Sequence, residues 1–265
     1  MTALPVRVQR RTRLHVPVLD LEVAPVDAAT IVAAITAREG WRIANHNLHS
    51  AYLTHAGEAS MQQWLASADV VLTDGWPVWA LARLRHRRAI GGGTRLGSSD
   101  WLDTLLTTDP AIRVVALGGS PESARRCAAK MGERSRRLVW TSYDGFEFAW
   151  QGGEEYASLD DALAAADLVL VGLGMPAQEE WILERLDSLP AFTSVANVGG
   201  TFDYYAGTQS RAPRWLGRIG LEWAYRLARN PARLWHRYLV EPWKLAVLLV
   251  RRKRRSPAPV PAARP

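Results

Sequence analysis

One carboxylate of the sequence occupies a position that suits a general base. Asp74 follows the apolar run Val70–Thr73 and precedes Gly75, so a buried strand would deliver its side chain to an exposed turn. A carboxylate held in this way can take a proton from an attacking hydroxyl group. Asp74 could equally cap a helix that begins at Trp76, which is a common role for aspartate. The spacing alone leaves both roles open.

Other polar residues could hold a phosphorylated ligand. Arg95 lies in the glycine-rich segment GGGTRLGSSD, where its guanidinium group could bind a diphosphate through two parallel hydrogen bonds. Gln178 is predicted in the first turn of a helix that follows a strand, within reach of a base or a phosphate. Asn45 and Asn47 come directly after an earlier strand. Taken alone, Arg95 is more simply explained as a solvated surface residue.

The segment VLVGLGMPAQEEW offers a second interpretation. Its Gly172-x-Gly174-x-x-Ala177 pattern, between a strand and a helix, fits loosely the fingerprint of NAD(P)-dependent enzymes. The next strand, however, ends at Asn197 and not at the carboxylate that usually binds a ribose, and Pro176 occupies the predicted helix start. We therefore keep a nicotinamide enzyme only as an alternative.

The sequence predicts no metal and no other cofactor. It contains no Asp-x-Asp pair, and His46 and His49 have no obvious third ligand. The single Cys127 excludes an intrachain disulfide and a multi-cysteine metal site. If a diphosphate leaves during the reaction, arginines and helix N-termini must stabilise it.

The elements that would position these residues alternate along the chain. Short apolar runs separated by helical patterns predict an α/β fold with a mostly parallel, Rossmann-like sheet and helices on both faces, over residues 1–210. Ligands of such sheets bind at the carboxyl ends of the strands, where the polar and glycine-rich segments fall. The predicted strands are Trp41–Ala44, Val70–Thr73, Ile112–Leu117, Leu138–Ser142, Leu168–Val171 and Thr193–Val198.

Residues 211–255 have a different character. They carry 13 lysines and arginines against two glutamates, a local balance of +11, and Trp215, Ile219, Trp223 and Leu227 recur at four-residue spacing. This predicts a basic, amphipathic helical appendage with an anionic partner. The longest apolar run, Leu245–Val250, is far shorter than the roughly 20 residues of a spanning helix. Residues 256–265, rich in proline and alanine, are predicted to be disordered.

The order of these motifs resembles the WecG/TagA/CpsF glycosyltransferases from about Val18 to Leu239. The shared motifs are an asparagine pair after an early strand, DG, R-x-x-x-x-D, LGG-x-P, DGF, V-G-x-G-x-P-x-Q-E, VGGTFDYYAG, RAP, LEWAYRL, NPARL and RYL. The last third of the chain carries the most specific part of the match.

The resemblance implies an inverting, metal-independent transfer from a UDP-sugar to a polyprenyl-diphosphate-linked saccharide, in the synthesis of a surface polysaccharide or wall polymer. It makes Asp74 the general base. It places four residues at the donor, namely Asn45, Asn47, Arg95 and Gln178. It directs three arginines toward the lipid diphosphate, namely Arg226, Arg233 and Arg237. Departures from the family pattern at Asn45, Pro77 and Ser98 leave the donor open among N-acetylmannosamine, its uronic acid and glucose.

By this interpretation the protein is a cytoplasmic enzyme bound peripherally to the inner face of the membrane. Tryptophans interleaved with arginines suit a bilayer interface better than a nucleic acid. We therefore expect an anionic membrane surface and no nucleic acid among the partners, and leave open whether the chain forms a homo-oligomer. The remaining alternative is a basic module that binds membranes or nucleic acids without catalysis.

Overall fold

The computed structural model of the chain describes residues 12–210 and 212–255. Segment 256–265, for which the sequence predicts disorder, lies outside the described residues. A short antiparallel hairpin, β1 (Leu14–Val16) and β2 (Leu21–Val23), precedes the main body.

The main body is built on a seven-stranded sheet. Its strands are β3 (Arg42–His46), β4 (Val70–Thr73), β5 (Arg113–Gly118), β6 (Val139–Tyr143), β7 (Trp150–Gly153), β8 (Leu168–Gly172) and β9 (Ser194–Asn197). They lie in the order β4-β3-β9-β8-β5-β6-β7, and only β7 is antiparallel to its neighbour. The predicted mostly parallel sheet is confirmed, with all six predicted strands in it.

Helices connect these strands. They are α1 (Ala28–Thr36), α2 (Leu48–Ala56), α3 (Ala59–Ser67), α4 (Trp76–Arg85), α5 (Ser98–Thr108), α6 (Pro121–Arg134), α7 (Leu159–Ala165), α8 (Ala177–Arg185) and α9 (Thr201–Ala206). The sequence predicts one helix over 48–66, but Gly57 adopts φ 96° and ends α2 there, because a left-handed residue suits a helix C-terminus. The hairpin, β7 and α9 were not predicted.

Two hydrophobic clusters cover the two faces of the sheet. In β5, Val114 and Ala116 belong to one cluster, whereas Val115 and Leu117 belong to the other. Successive side chains of a strand point to opposite faces, so this strand is buried on both sides. This explains why its sequence is a continuous apolar run.

The C-terminal segment is helical and packs against the body. It comprises α10 (Arg214–Arg218), α11 (Glu222–Arg229), α12 (Pro231–Trp235), a π-helical turn (His236–Val240) and α13 (Glu241–Arg255). Leu245 of α13 is buried in a third hydrophobic cluster with Val16, Ala51 and Ala82, so α13 shares a core with the hairpin, α2 and α4. In the described ranges no helix combines the length and apolarity needed to cross a bilayer.

Candidate active site

Asp74 and Asn47 meet at the carboxyl ends of two adjacent parallel strands. Asp74 follows β4, and Asn47 follows β3 and begins α2. The side-chain oxygen Oδ1 of Asn47 accepts hydrogen bonds from the backbone N–H groups of His49 (3.0 Å) and Ser50 (3.1 Å). This leaves its amide nitrogen to donate to Asp74 Oδ2 at 3.2 Å. The helix cap therefore orients the Asn47 amide toward the candidate base.

The capping role considered for Asp74 is not what the structure shows. The residue before α4 is Gly75, and this helix has no side-chain capping bond. The half-buried carboxylate of Asp74 instead faces the site, where burial raises its pKa, and the charges of Glu222 and Asp100 act in the same direction. Arg226 and the Asn47 hydrogen bond oppose this rise in pKa. A raised pKa favours proton uptake by a carboxylate.

The glycine-rich loop of Arg95 runs beside the end of β4. The backbone N–H of Leu96 donates to the Thr73 carbonyl at 3.2 Å, and a Cβ built at Gly97 would lie 3.0 Å from Asp74 Oδ1. A side chain at position 97 would therefore crowd the base. Arg95 itself is half-buried, and its Nη2 atom would lie 3.9 Å from a Cβ at Gly217. The backbone of Arg95 pairs with Thr73 at the end of β4, so the loop brings Arg95 beside this strand end and near the C-terminal segment.

The C-terminal segment contributes one of the three predicted arginines to this place. Arg226 forms an ion pair with Glu222 and lies over the Tyr204 ring, 5.3 Å from its centroid. Its charge lowers the pKa of Asp74, which places it near the base. Arg233 is exposed, and Arg237 acts electrostatically on Glu241. The sequence interpretation did not single out Glu222 or Tyr204, since neither has a neighbouring motif that reveals this proximity.

Asn45 and Gln178 belong to a buried network between β3, β8 and β9. The Asn45 amide nitrogen donates to Ser98 Oγ at 2.8 Å, and its backbone N–H donates to Asn197 Oδ1 at 3.1 Å. Gln178 is fully buried, and its side-chain oxygen Oε1 accepts a hydrogen bond from the backbone N–H of Gly199 at 3.1 Å. Both residues lie behind the surface of the site. Their predicted contact with the donor stays a prediction.

A carboxylate that the sequence analysis did not single out as a site residue joins this network. Glu179 Oε1 accepts hydrogen bonds from the amides of Gln178 and Asn197, each at 2.8 Å. Glu179 is fully buried, and burial raises its pKa to about 7 although both amide hydrogen bonds lower it. Its adjacency to Gln178 was the available sequence signal.

Glycines let the ends of β5, β8 and β9 pack closely together. A Cβ at Gly118 would lie 2.4 Å from the Gly172 carbonyl oxygen, and one at Gly172 would lie 2.5 Å from the Gly199 carbonyl oxygen. Larger residues would push these strand ends apart. Beside these strand ends, Ser123 Oγ donates to Asp203 Oδ1 at 2.6 Å. The chain leaves β5 and β8 toward opposite sides of the sheet, a switch point at which α/β folds bind ligands.

Comparison with known proteins shows the family of the chain. Residues 12–259 match the glycosyl transferase WecG/TagA/CpsF family. A relative from Bacillus subtilis (strain 168), an N-acetylglucosaminyldiphosphoundecaprenol N-acetyl-beta-D-mannosaminyltransferase, is 30% identical over 201 residues, which are 74% of this chain and 75% of the relative. A relative of the same name from Bacillus spizizenii is 33% identical over 201 residues, 74% of this chain and 73% of the relative. The match decides against the nicotinamide and non-catalytic alternatives: the chain belongs to the glycosyl transferase WecG/TagA/CpsF family and is a glycosyltransferase.

Proposed function

We propose that this protein transfers N-acetylmannosamine from its UDP derivative to polyprenyl-diphosphate-linked N-acetylglucosamine, with inversion and without a metal. The observation that carries the proposal is the convergence of Asp74, Arg95 and Arg226, from three separate parts of the chain, on one end of the sheet. A base flanked by arginines suits a reaction in which a hydroxyl group attacks and a diphosphate leaves. The names of the two relatives supply the acceptor and the sugar.

The proposed reaction is a single displacement. Asp74 takes the proton of the acceptor hydroxyl group as its oxygen bonds to the anomeric carbon of the donor. The bond between that carbon and the phosphate oxygen breaks, and its electron pair leaves with UDP. Nucleotide sugars of this kind are α-linked, and the relatives are named for a β-linked product. One displacement gives that change of configuration.

The donor diphosphate is proposed to bind between Arg95 and the glycine-rich ends of β5, β8 and β9. A Cβ at Gly199 would meet no atom within 4 Å, so a ligand could approach the backbone closely there. The guanidinium group of Arg95 can hold two phosphate oxygens at once. Arginine and backbone N–H groups would then stabilise the negative charge of the leaving diphosphate, which a divalent metal neutralises in other transferases.

The acceptor diphosphate is proposed to approach from the C-terminal segment. Arg226 already lies beside the base, and its present partner Glu222 is a carboxylate that an acceptor diphosphate could replace. Arg233 and Arg237 follow on the same segment and are proposed to extend this contact. Four tryptophans of the segment are exposed, namely Trp215, Trp223, Trp235 and Trp243.

These exposed rings support a peripheral position at the membrane. Indole rings favour the headgroup boundary of a bilayer, and the lysines and arginines between them are attracted to anionic lipids. Because the lipid-linked substrates of such enzymes are made from cytoplasmic nucleotide sugars, we place the protein on the inner face of the cell membrane.

The full-length protein, the lipid-linked acceptor and a panel of UDP-sugars test this function. UDP release and the linkage of the product should identify UDP-N-acetylmannosamine as the donor. Asp74→Asn should lower turnover by roughly 10²–10⁴-fold with UDP affinity nearly unchanged. Asp160→Asn, at an exposed carboxylate of α7, is the matched control and should behave like the wild type. Asp74→Asn turnover within a few-fold of the wild type would refute the proposed base.

A further inference from the structure

A cluster of arginines at the end of α4 has no role in the site described above. Arg83 is used internally, since it donates to the Ile90 carbonyl at 2.8 Å and lies over the Trp79 ring. The next three arginines, Arg85, Arg87 and Arg88, are exposed, and none of them has an ion-pair partner among the described carboxylates.

An exposed apolar side chain accompanies these charges. Leu84 is 65% exposed and adjoins the arginines on the surface of a shallow hollow formed by residues 84–89. Leucine beside arginine is the combination that enters the headgroup boundary of a bilayer, where apolar atoms leave water and the cations meet lipid phosphates.

The position of the cluster supports the same partner. The His86 ring donates from Nε2 to the His15 carbonyl at 2.7 Å, so the cluster is fixed to the β1–β2 hairpin. On the same hairpin, Arg252 of α13 pairs with Asp20 at 3.3 Å. The hairpin turn also exposes Val18 (56%). Cations at the end of α4 and on α13 therefore lie beside one hairpin, whose turn carries an exposed apolar side chain.

The cluster is also tied to the active site by a rigid element. Helix α4 begins two residues after Asp74 and has ten residues, so the cluster lies about 15 Å from the base along the helix axis. A membrane contact at this end of α4 would hold the base at a set height above the lipid surface. A flexible anchor could not do so.

We propose that Leu84, Arg85, Arg87 and Arg88 form a membrane contact of the catalytic body, which binds anionic lipid headgroups in addition to the contact proposed for residues 211–255. The consequence for catalysis rests on the proposed function, because it assumes a lipid-linked acceptor. The binding to lipid does not.

Vesicle binding tests the contact directly. The full-length Arg85→Gln/Arg87→Gln/Arg88→Gln variant is compared with the wild type on vesicles of phosphatidylcholine with and without phosphatidylglycerol. Each arginine near an anionic surface strengthens binding about fivefold, so the triple variant should bind the anionic vesicles about 100-fold more weakly. Neutral vesicles should not distinguish the two proteins, and a triple lysine variant should retain binding because it retains the charge.

A matched control distinguishes an effect of this cluster on vesicle binding from an effect of the net charge of the protein. Arg125, Arg136 and Arg137 are exposed arginines on α6 and its following loop, beside β6 and far across the sheet from β4. Replacing these three by glutamine removes the same charge and should leave vesicle binding within about twofold of the wild type. Equal losses in both glutamine variants, or no loss in the cluster variant, would overturn the proposal. The proposal would also be overturned if the cluster variant lost binding to RNA while its binding to vesicles stayed unchanged.

Turnover distinguishes the failure of this proposal from the failure of the proposed function. The cluster variant should keep full turnover on a short-chain, water-soluble acceptor and lose it only on a long-chain acceptor in anionic vesicles. Equal turnover of wild type and variant in vesicles would refute the role of the cluster. If the wild type transfers no sugar to either acceptor, the proposed function fails, whereas vesicle binding still decides the lipid contact.

Discussion

Replacing Glu179 by glutamine probes the buried network that supports the site. One oxygen of this carboxylate holds the amides of Gln178 and Asn197, and the other, Oε2, is buried without a hydrogen-bond partner. Hydrogen bonds therefore stabilise the negative charge of ionised Glu179 only in part. This is why burial raises the pKa of Glu179 from 4.5 to about 7. Glutamine has nearly the same shape and cannot ionise.

The pKa sets the size and the sign of the effect. The difference between the two pKa values corresponds to about 3 kcal/mol of unfolding free energy. Below about pH 4.5 the carboxyl group is protonated in both the folded and the unfolded state, so it does not lower the free energy of unfolding. As the pH rises toward 7, the unfolded chain loses this proton while folded Glu179 retains it, so the stability contributed by Glu179 falls. Above about pH 7 the loss is complete.

Equilibrium unfolding in denaturant, from pH 4.5 to pH 8, measures this change. The unfolding free energy of Glu179→Gln relative to the wild type should rise by about 3 kcal/mol over the range. A pH-independent difference in unfolding free energy between the variant and the wild type is also expected, because the new amide group faces the amides of Gln178 and Asn197. Glu180→Gln, at the exposed neighbouring carboxylate, should show no such rise. A difference between Glu179→Gln and wild type that stays flat with pH would refute the reasoning.

Three further predictions concern the arginines and the C-terminal helix. Turnover should survive EDTA but fall in Arg95→Lys, because an ammonium group cannot hold two phosphate oxygens; loss in EDTA with recovery in magnesium would contradict the arginine account. Arg226→Ala should lower turnover on the lipid-linked acceptor at least 10-fold more than Arg233→Ala; equal losses would remove the special role of Arg226. Leu245→Ala should cost about 2–5 kcal/mol in denaturant unfolding through the cavity it leaves, whereas Val247→Ala, on the exposed face, should cost little; similar costs would contradict the packing of α13.

The sequence determined those features that follow from short stretches of chain. The apolar run before Asp74 predicted β4 correctly because a strand buried on both faces needs consecutive apolar residues. The sequence also predicted that Asp74 lies at the carboxyl edge of the sheet, because it is the residue directly after a parallel strand. The basic composition of residues 211–255 likewise predicted helices with an exposed, cationic surface.

The tertiary structure decided which of these residues meet and which are covered. Asn45 and Asn197 are 152 positions apart and bond to each other, and Arg226 approaches Asp74 only because the C-terminal segment folds back over the sheet. The tertiary structure also buries Gln178, which the sequence predicts in a first helical turn within reach of a base or a phosphate. Such contacts depend on how the strands are ordered and how the helices pack. Local propensity and periodicity carry no information about partners so distant along the chain.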